Sequence, residues 1–177
     1  MSDSKPTLID FLTPQEHAHW ITVDDPVMGG RSHSDIQWIS PTSEDTRAGG
    51  PILRFRGRVS LDNGGGFCST RLQESPRPAT GVESIVLRVR GDGKRYKITL
   101  RTTGTPPSSS WRLPIDSLSQ TWRVHRLSLA DFELWRRGQL LDAEGRPNPE
   151  HLCSAGILIA DKQEGSFQLD IAEFRGL

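Results

Sequence analysis

Between Leu53 and Leu61 apolar and polar residues alternate without a break. Leu53, Phe55, Gly57, Val59 and Leu61 fall on one side, and Arg54, Arg56, Arg58 and Ser60 on the other. Successive side chains of a strand point to opposite faces, so this period of two marks a strand with one buried side and one arginine-lined side in water. The pattern recurs in Ile85, Leu87 and Val89, with Arg88 and Arg90 opposite, and in Tyr96, Ile98 and Leu100. It returns in Phe167, Leu169 and Ile171. Gly156-Ile157-Leu158-Ile159-Ala160 is apolar on both sides and suits a central strand, and Trp20 to Val23 and Ile36 to Ile39 add two earlier ones. The turn residues Gly91-Asp92-Gly93-Lys94 between two such runs predict a β-hairpin.

Helical signals are few. Ser128 to Leu134 has room for about two turns, and Asn148-Pro149-Glu150 reads as an N-cap followed by proline at the first helical position. Pro41 to Pro51, Glu74 to Gly81 and the Pro- and Ser-rich Thr102 to Ser119 read as loops. With 17 Gly and 12 Pro among 177 residues, composition favours turns and short strands over long helices. No repeat, heptad or internal boundary divides residues 1–177 into two cores. The fold expected is all-β: a single antiparallel β-sandwich or jelly roll with one or two short helices.

Charge excludes some partners. The formal net charge is +0 and the pI about 7.0, so no overall field favours nucleic acid or an anionic membrane. No run approaches the roughly 20 apolar residues of a membrane span. The opening Met1-Ser2-Asp3-Ser4-Lys5-Pro6 resembles neither a secretory signal nor a transit peptide. Cys68 and Cys153 stand far apart and outside any CxxC pair, which reads as two free buried thiols, with a disulfide between them as the alternative. A cytoplasmic protein is expected.

Catalytic patterns are incomplete. Gly30-Arg31-Ser32-His33-Ser34 lacks the closing glycine of a nucleophile elbow, and neither Gly64-Gly65-Gly66 nor Gly91-Asp92-Gly93 completes a phosphate-binding loop. Arg90-Gly91-Asp92 reads as turn chemistry. His17-Ala18-His19 sets two imidazoles on one side of an extended segment, but no third ligand follows at a recognised spacing. Glu44-Asp45 sits in a polar loop. The expectation is no enzyme, no cofactor and no metal. Trp20, Trp38 and Trp122 have strand surroundings, whereas Trp111 and Trp135 read as loop or loop-edge residues. In such places an aromatic ring can stack on a sugar or anchor a protein. Arg136-Arg137 beside Trp135 strengthens the binding reading there.

Four blocks together resemble one family. Asp25-Pro26-Val27-Met28-Gly29-Gly30-Arg31-Ser32 is similar to its hallmark run, which follows a Trp and a short strand. Phe55 to Phe67, a strand entering the turn Asn63-Gly64-Gly65-Gly66-Phe67, resembles its second block, and Leu87 to Tyr96 the third. Gly156 to Lys162 with Gly165 and Phe167-Gln168-Leu169 resembles the fourth, so the likeness spans about residues 8–174. This is the complex I intermediate-associated protein family, whose mitochondrial members help assemble NADH:ubiquinone oxidoreductase. The resemblance implies a galactose-binding-like jelly roll, no catalytic residues and a chaperone or scaffold role with a protein partner, such as a membrane-complex subunit or assembly intermediate. Because the fold is shared with carbohydrate-binding modules, a carbohydrate or small-ligand module is the alternative. Pro26 departs from the glycine usual in the hallmark, and fold alone does not fix function.

The hallmark makes physical sense as a structured turn. Pro26 fixes φ, and Gly29 and Gly30 permit conformations closed to other residues. Asp25 and Ser32 can hold loop amides, and Arg31 can reach a carboxylate such as Asp62 or a partner. The candidate binding residues are therefore Asp25, Met28, Arg31, Ser32, Asn63, Trp111, Trp135 and Arg136.

Overall fold

The computed structural model describes residues 9–42 and 50–177, with the side chain of Met28 outside that description. Two antiparallel sheets face each other. The first joins β1 (Ile9–Asp10), β3 (His33–Ile39), β4 (Ile52–Val59), β6 (Ser84–Arg90), β9 (Trp122–Ser128) and β13 (Gly165–Gly176). Its strands run β3-β4-β13-β6-β9, with β1 also on β13. The second joins β2 (Trp20–Thr22), β5 (Cys68–Leu72), β7 (Arg95–Thr102), β8 (Ser109–Asp116), β10 (Glu133–Arg136), β11 (Gln139–Asp142) and β12 (Leu152–Ile159) in the order β11-β10-β8-β7-β12-β5-β2. The expected β-sandwich is the fold observed, and no helix among the described residues is long and apolar enough to cross a membrane.

The core lies between the sheets and is built by the alternation read in sequence. Leu53, Phe55 and Val59 of β4 meet Ile85, Leu87 and Val89 of β6 and Tyr96, Ile98 and Leu100 of β7 there. Phe55 and Phe167 pack edge to face at 4.9 Å, as do Phe11 and Phe174. Each fully buried ring contributes about 2 kcal/mol. β12 is buried along its whole length, as a central strand should be. On β13 both Ile171 and Phe174 point inward although they are an odd number of residues apart. The register against β6 shifts between Ile171 and Glu173, and that bulge supplies the extra residue.

Four sequence expectations are corrected here. The runs on either side of Gly91-Asp92-Gly93-Lys94 are not a hairpin. β6 pairs with β13 and β9, whereas β7 pairs with β12 and β8, so the segment crosses from one sheet to the other. Both runs bury their apolar sides, and two such strands can face each other across a core as readily as lie edge to edge. Thr102 to Ser119 is not one loop, since it contains β8. Ser128 to Leu134 forms a single 3-10 turn, Leu129–Asp131, before the chain extends into β10. Finally, Pro14–His19 is a 3-10 turn started by its proline, so His17 and His19 do not lie along a strand. His17 stacks on Trp38 at 3.5 Å, and His19 Nδ1 sits 3.2 Å from Glu16. The Asn148 cap forms as read, with its side chain accepting the Glu150 N–H at 3.0 Å.

One arginine holds a long connection in place. Arg77 donates through Nε and Nη2 to Glu16 at 3.1 and 2.9 Å. Its Nη1 donates to the carbonyls of Gln73, Ser75 and Cys153 at 2.9, 3.1 and 2.9 Å. Burial raises the Glu16 carboxyl less than its bonds to Arg77 lower it, so the group stays below the usual glutamate range. Cys68 and Cys153 are free and buried. Cys68 pairs in register with Ile159 of β12, and Cys153 lies about 20 Å further along that strand.

Candidate functional site

Asp25 opens a 3-10 turn, Asp25–Met28, with Pro26 in its second position, and Gly29 ends the turn at φ 90. The backbone then folds back so that the Gly30 N–H donates to the Asp25 carbonyl at 3.0 Å. A side chain on Gly30 would meet Asp25 Oδ1 at 2.2 Å, so this close return requires glycine. The Asp25 carboxylate is 1% exposed and fully occupied. It accepts the Ser32 N–H at 2.8 Å, the Gly66 N–H at 2.6 Å, the Phe67 N–H at 3.2 Å and a short bond from the Ser32 hydroxyl. Ser32 Oγ in turn accepts the Ser60 N–H at 2.9 Å. Burial pushes the Asp25 carboxyl up, but the Ser32 hydroxyl and the three backbone donors outweigh it and hold the group below the usual aspartate range.

Asp24 repeats the device one residue earlier. It accepts the Ser34 N–H and hydroxyl, each at 2.7 Å, and the Ser69 N–H at 3.2 Å. The chain from β2 to β3 and the chain from β4 to β5 both cross between the sheets, and these two carboxylates fasten one crossing to the other. Asp25 and Ser32 are thus interior staples of the sandwich. Asn63 occupies the left-handed region at φ 55 in the second crossing and is exposed. Arg31 is exposed and makes no ion pair among the described residues, with Asp62 or any other acid. The side chain of Met28 lies outside the described residues.

The remaining candidates lie elsewhere. Trp111 is in β8, not in a loop, and is 6% exposed with Nε1 donating to Thr102 Oγ1 at 3.1 Å. A run of Pro and Ser before it hid the strand, and its ring offers no face to a ligand. Trp135 and Arg136 are consecutive on β10, near the edge of the second sheet opposite β2, so their side chains point to opposite sides. Trp135 Nε1 donates to Glu133 at 3.1 Å. The eight candidates therefore form no single patch.

A cleft of about 610 Å³ opens on the outer side of the first sheet. His33, Ser34 and Asp35 of β3 line it with Arg56, Gly57 and Arg58 of β4, the connecting Asp92, and Ser166 to Gln168 of β13. Gly57 lets β3 come close, since a side chain there would strike the His33 carbonyl at 2.1 Å. Arg56 pairs with Asp35 at 2.9 Å, while Arg58 is exposed and makes no ion pair among the described residues. Asp92 accepts the Gln168 N–H and the Tyr96 hydroxyl, both at 3.0 Å, and burial, then that carboxylate, pushes the phenol well up. Beside the cleft, buried Asp170 takes Arg54 at 2.7 and 2.9 Å and Arg90 at 3.0 Å. Arg88 and Arg90 lie over the Trp122 ring at 4.4 and 4.7 Å. Such a surface can bind carboxylates and other hydrogen-bond acceptors. Sequence alternation revealed its arginines, but the pairing that forms the cleft joins residues too distant in the chain to be read together.

Three of the four blocks noted in the sequence contribute to this cleft, and the first ends at Ser32, one residue short of it. His33 follows the first directly, Arg56 to Arg58 belong to the second, Asp92 to the third, and Phe167 and Gln168 to the fourth. Comparison with known proteins agrees with the blocks. The sequence profile of the Complex I intermediate-associated protein 30 family matches residues 9–171. A Caenorhabditis elegans protein named probable complex I intermediate-associated protein 30, mitochondrial, is 30% identical over 91 residues, 49% of this chain and 27% of that protein. The chain thus spans about a quarter of that relative's length. A Neurospora crassa relative, the mitochondrial complex I intermediate-associated protein 30, is 22% identical over 90% of this chain and 69% of its own. Among solved structures, a family 11 carbohydrate-binding module of a Clostridium thermocellum cellulase has a TM-score of 0.67 at 14% identity, covering 99% of this chain and 96% of the module. That likeness establishes the fold. The expectation of a cytoplasmic protein is overturned, because these relatives are named as mitochondrial proteins. With the profile matched from β1 into β13, this chain belongs to the complex I intermediate-associated protein 30 family.

Proposed function

We propose that this chain is a non-catalytic scaffold that holds a protein partner during assembly of a respiratory membrane complex of the NADH:ubiquinone oxidoreductase kind. The convergence of three of the four family blocks on the arginine-lined cleft, with the first block ending beside it, carries the reading. The hallmark residues themselves fasten the two sheet crossings, which leaves the cleft as the recognition surface they hold in shape. Arg58 and His33 are exposed there, and they suit an acidic segment of the partner.

The reading is tested by affinity capture from respiratory membranes and matrix of the source organism, with quantitative mass spectrometry. A complex I subunit or assembly intermediate should be enriched by the chain and released by the charge reversals Arg56→Glu and Arg58→Glu. Enrichment of no such protein, or equal capture by the reversed variants, overturns it. A sugar ligand, the competing reading, needs an open aromatic face. Trp111 has none, which leaves Trp135, so a glycan-array signal abolished by Trp135→Ala would favour the sugar reading over the scaffold.

A further inference from the structure

The outer side of the second sheet carries a cation cluster that the hallmark loop and the cleft do not involve. Across β8, β7, β12 and β5 the register aligns Arg112, Thr99, Gly156 and Arg71 in one row. Arg101 stands one step along β7 on the same side, two residues from Thr99. Thr99 and Gly156 form a low floor between the arginines, and a side chain at Gly156 would collide with Arg71 and the Thr70 carbonyl at about 2.5 Å.

The positive charge here is under-compensated. A single carboxylate oxygen, Glu74 Oε1, lies 3.9 Å from Arg71 Nη1 and 3.3 Å from Arg101 Nη1. Arg112 makes no ion pair among the described residues, and its Nε donates to Ser110 Oγ at 2.9 Å. Among the described residues the nearby acids have other partners: Asp161 holds Lys97 at 2.7 Å, Asp116 holds Arg95 at 2.9 Å, and Glu133, the register partner of Arg112, accepts the Trp135 indole N–H. Burial, and then repulsion from Arg71 and Arg112 against the pull of Glu74, hold the Arg101 guanidinium below its usual range. Burial does the same to Arg112, against the pull of Asp161. Glu74 pairs with Arg71 and Arg101 but not with Arg112, so an added anion would offset the repulsion among these half-buried guanidiniums, and planar guanidinium donors fit the oxygens of a phosphate.

We propose that Arg71, Arg101 and Arg112 form an oxyanion site, on the sheet opposite the cleft, that takes a phosphate-bearing ligand.

The test is calorimetric titration of the full chain with inorganic pyrophosphate at low ionic strength. Saturable one-to-one binding is expected, weakened about tenfold or more by Arg112→Gln and by Arg101→Gln. Arg58→Gln on the other sheet should leave it unchanged. Without ligand, Arg112→Gln should hold or raise Tm, since it removes a repelled charge, whereas a structural strut would lose Tm. No saturable binding, equal weakening by Arg58→Gln, or unaltered affinity in both site variants overturns the proposal. Adenosine monophosphate and inorganic phosphate, titrated in parallel, separate the sources. Tighter binding of the nucleotide, lost in Trp135→Ala, marks a phosphate carried on a ring-bearing ligand, and equal binding marks the free oxyanion. Because partner capture is read through Arg56 and Arg58, failure here leaves the scaffold reading untouched, and the reverse holds.

Discussion

The Asp25 carboxylate accepts the backbone N–H of Gly66 at 2.6 Å across 41 residues of chain, and this bond joins the two places where the backbone passes from one sheet to the other. Asp25→Ala leaves the N–H groups of Ser32, Gly66 and Phe67 without their acceptor in a buried position. Loss of about 3 kcal/mol of unfolding free energy is expected, measured by urea denaturation. Asp25→Asn should fare little better, because its NH₂ would face donors. A loss under about 1 kcal/mol would contradict the staple role.

Acid should expose the same carboxylate. Its folded value lies below the ordinary 3.8, so the unfolded chain takes up the proton first as pH falls. The stability it contributes is complete above about pH 4 and drains away as pH drops through the folded value. His125 acts higher on the scale. Burial and then Arg123 hold its imidazole below 6.5, and its buried Nε2 has no partner among the described residues. Its contribution is present above that value and is lost as pH falls below it. Denaturation midpoints across pH should show both limbs, with His125→Gln removing the slope between about pH 5 and about 7.

Much of this architecture is readable from residue order. Alternation identified β4, β7 and β13, and the double-sided run Gly156 to Ala160 revealed a central strand. Partner choice was not readable. Leu87 and Ile98 carry the same local signal whether their strands lie side by side or face each other across the core, so the Gly91–Lys94 segment read as a hairpin. Trp111 was misplaced because Pro106, Pro107 and three serines mask the strand that follows. Asp25 was recognisable as a turn residue. Its acceptance of Gly66 and Phe67, and the assembly of the cleft from four separate chain segments, depend on long-range register that no local pattern records.

Gly57→Ala should loosen β3 from β4. The new methyl would stand 2.1 Å from the His33 carbonyl and 2.7 Å from Ser34 Cα, both backbone atoms that cannot turn aside. A cost of about 1–3 kcal/mol follows, with faster amide exchange along His33–Ile39. Unaltered exchange would mean the strands separate without penalty.

Arg77→Met should lower stability by about 2–4 kcal/mol, since one guanidinium serves Glu16 and three carbonyls at once. Arg77→Lys should recover little, because an ammonium cannot span that fork. Thermal melts of the two variants decide it, and full rescue by lysine would refute the geometry.

Neither thiol should react in the folded protein. Burial, then Asp24, pushes Cys68 up, and burial followed by Glu74 does the same to Cys153. Thiolate is the reactive form, so alkylation by iodoacetamide at neutral pH should stay slow until denaturant is added. Intact mass after timed quenching gives the rate, and prompt labelling at either site would show it open.

Ile9 and Gly176 are register partners, so the first and last strands run out at the same corner of the sandwich. A short tether could join those ends, and the chain could be reopened at the Arg137-Gly138 turn between β10 and β11 without interrupting any ladder. The order in which the strands are strung together is therefore separable from the sandwich they form, and a circular permutant made this way should fold to the same two sheets.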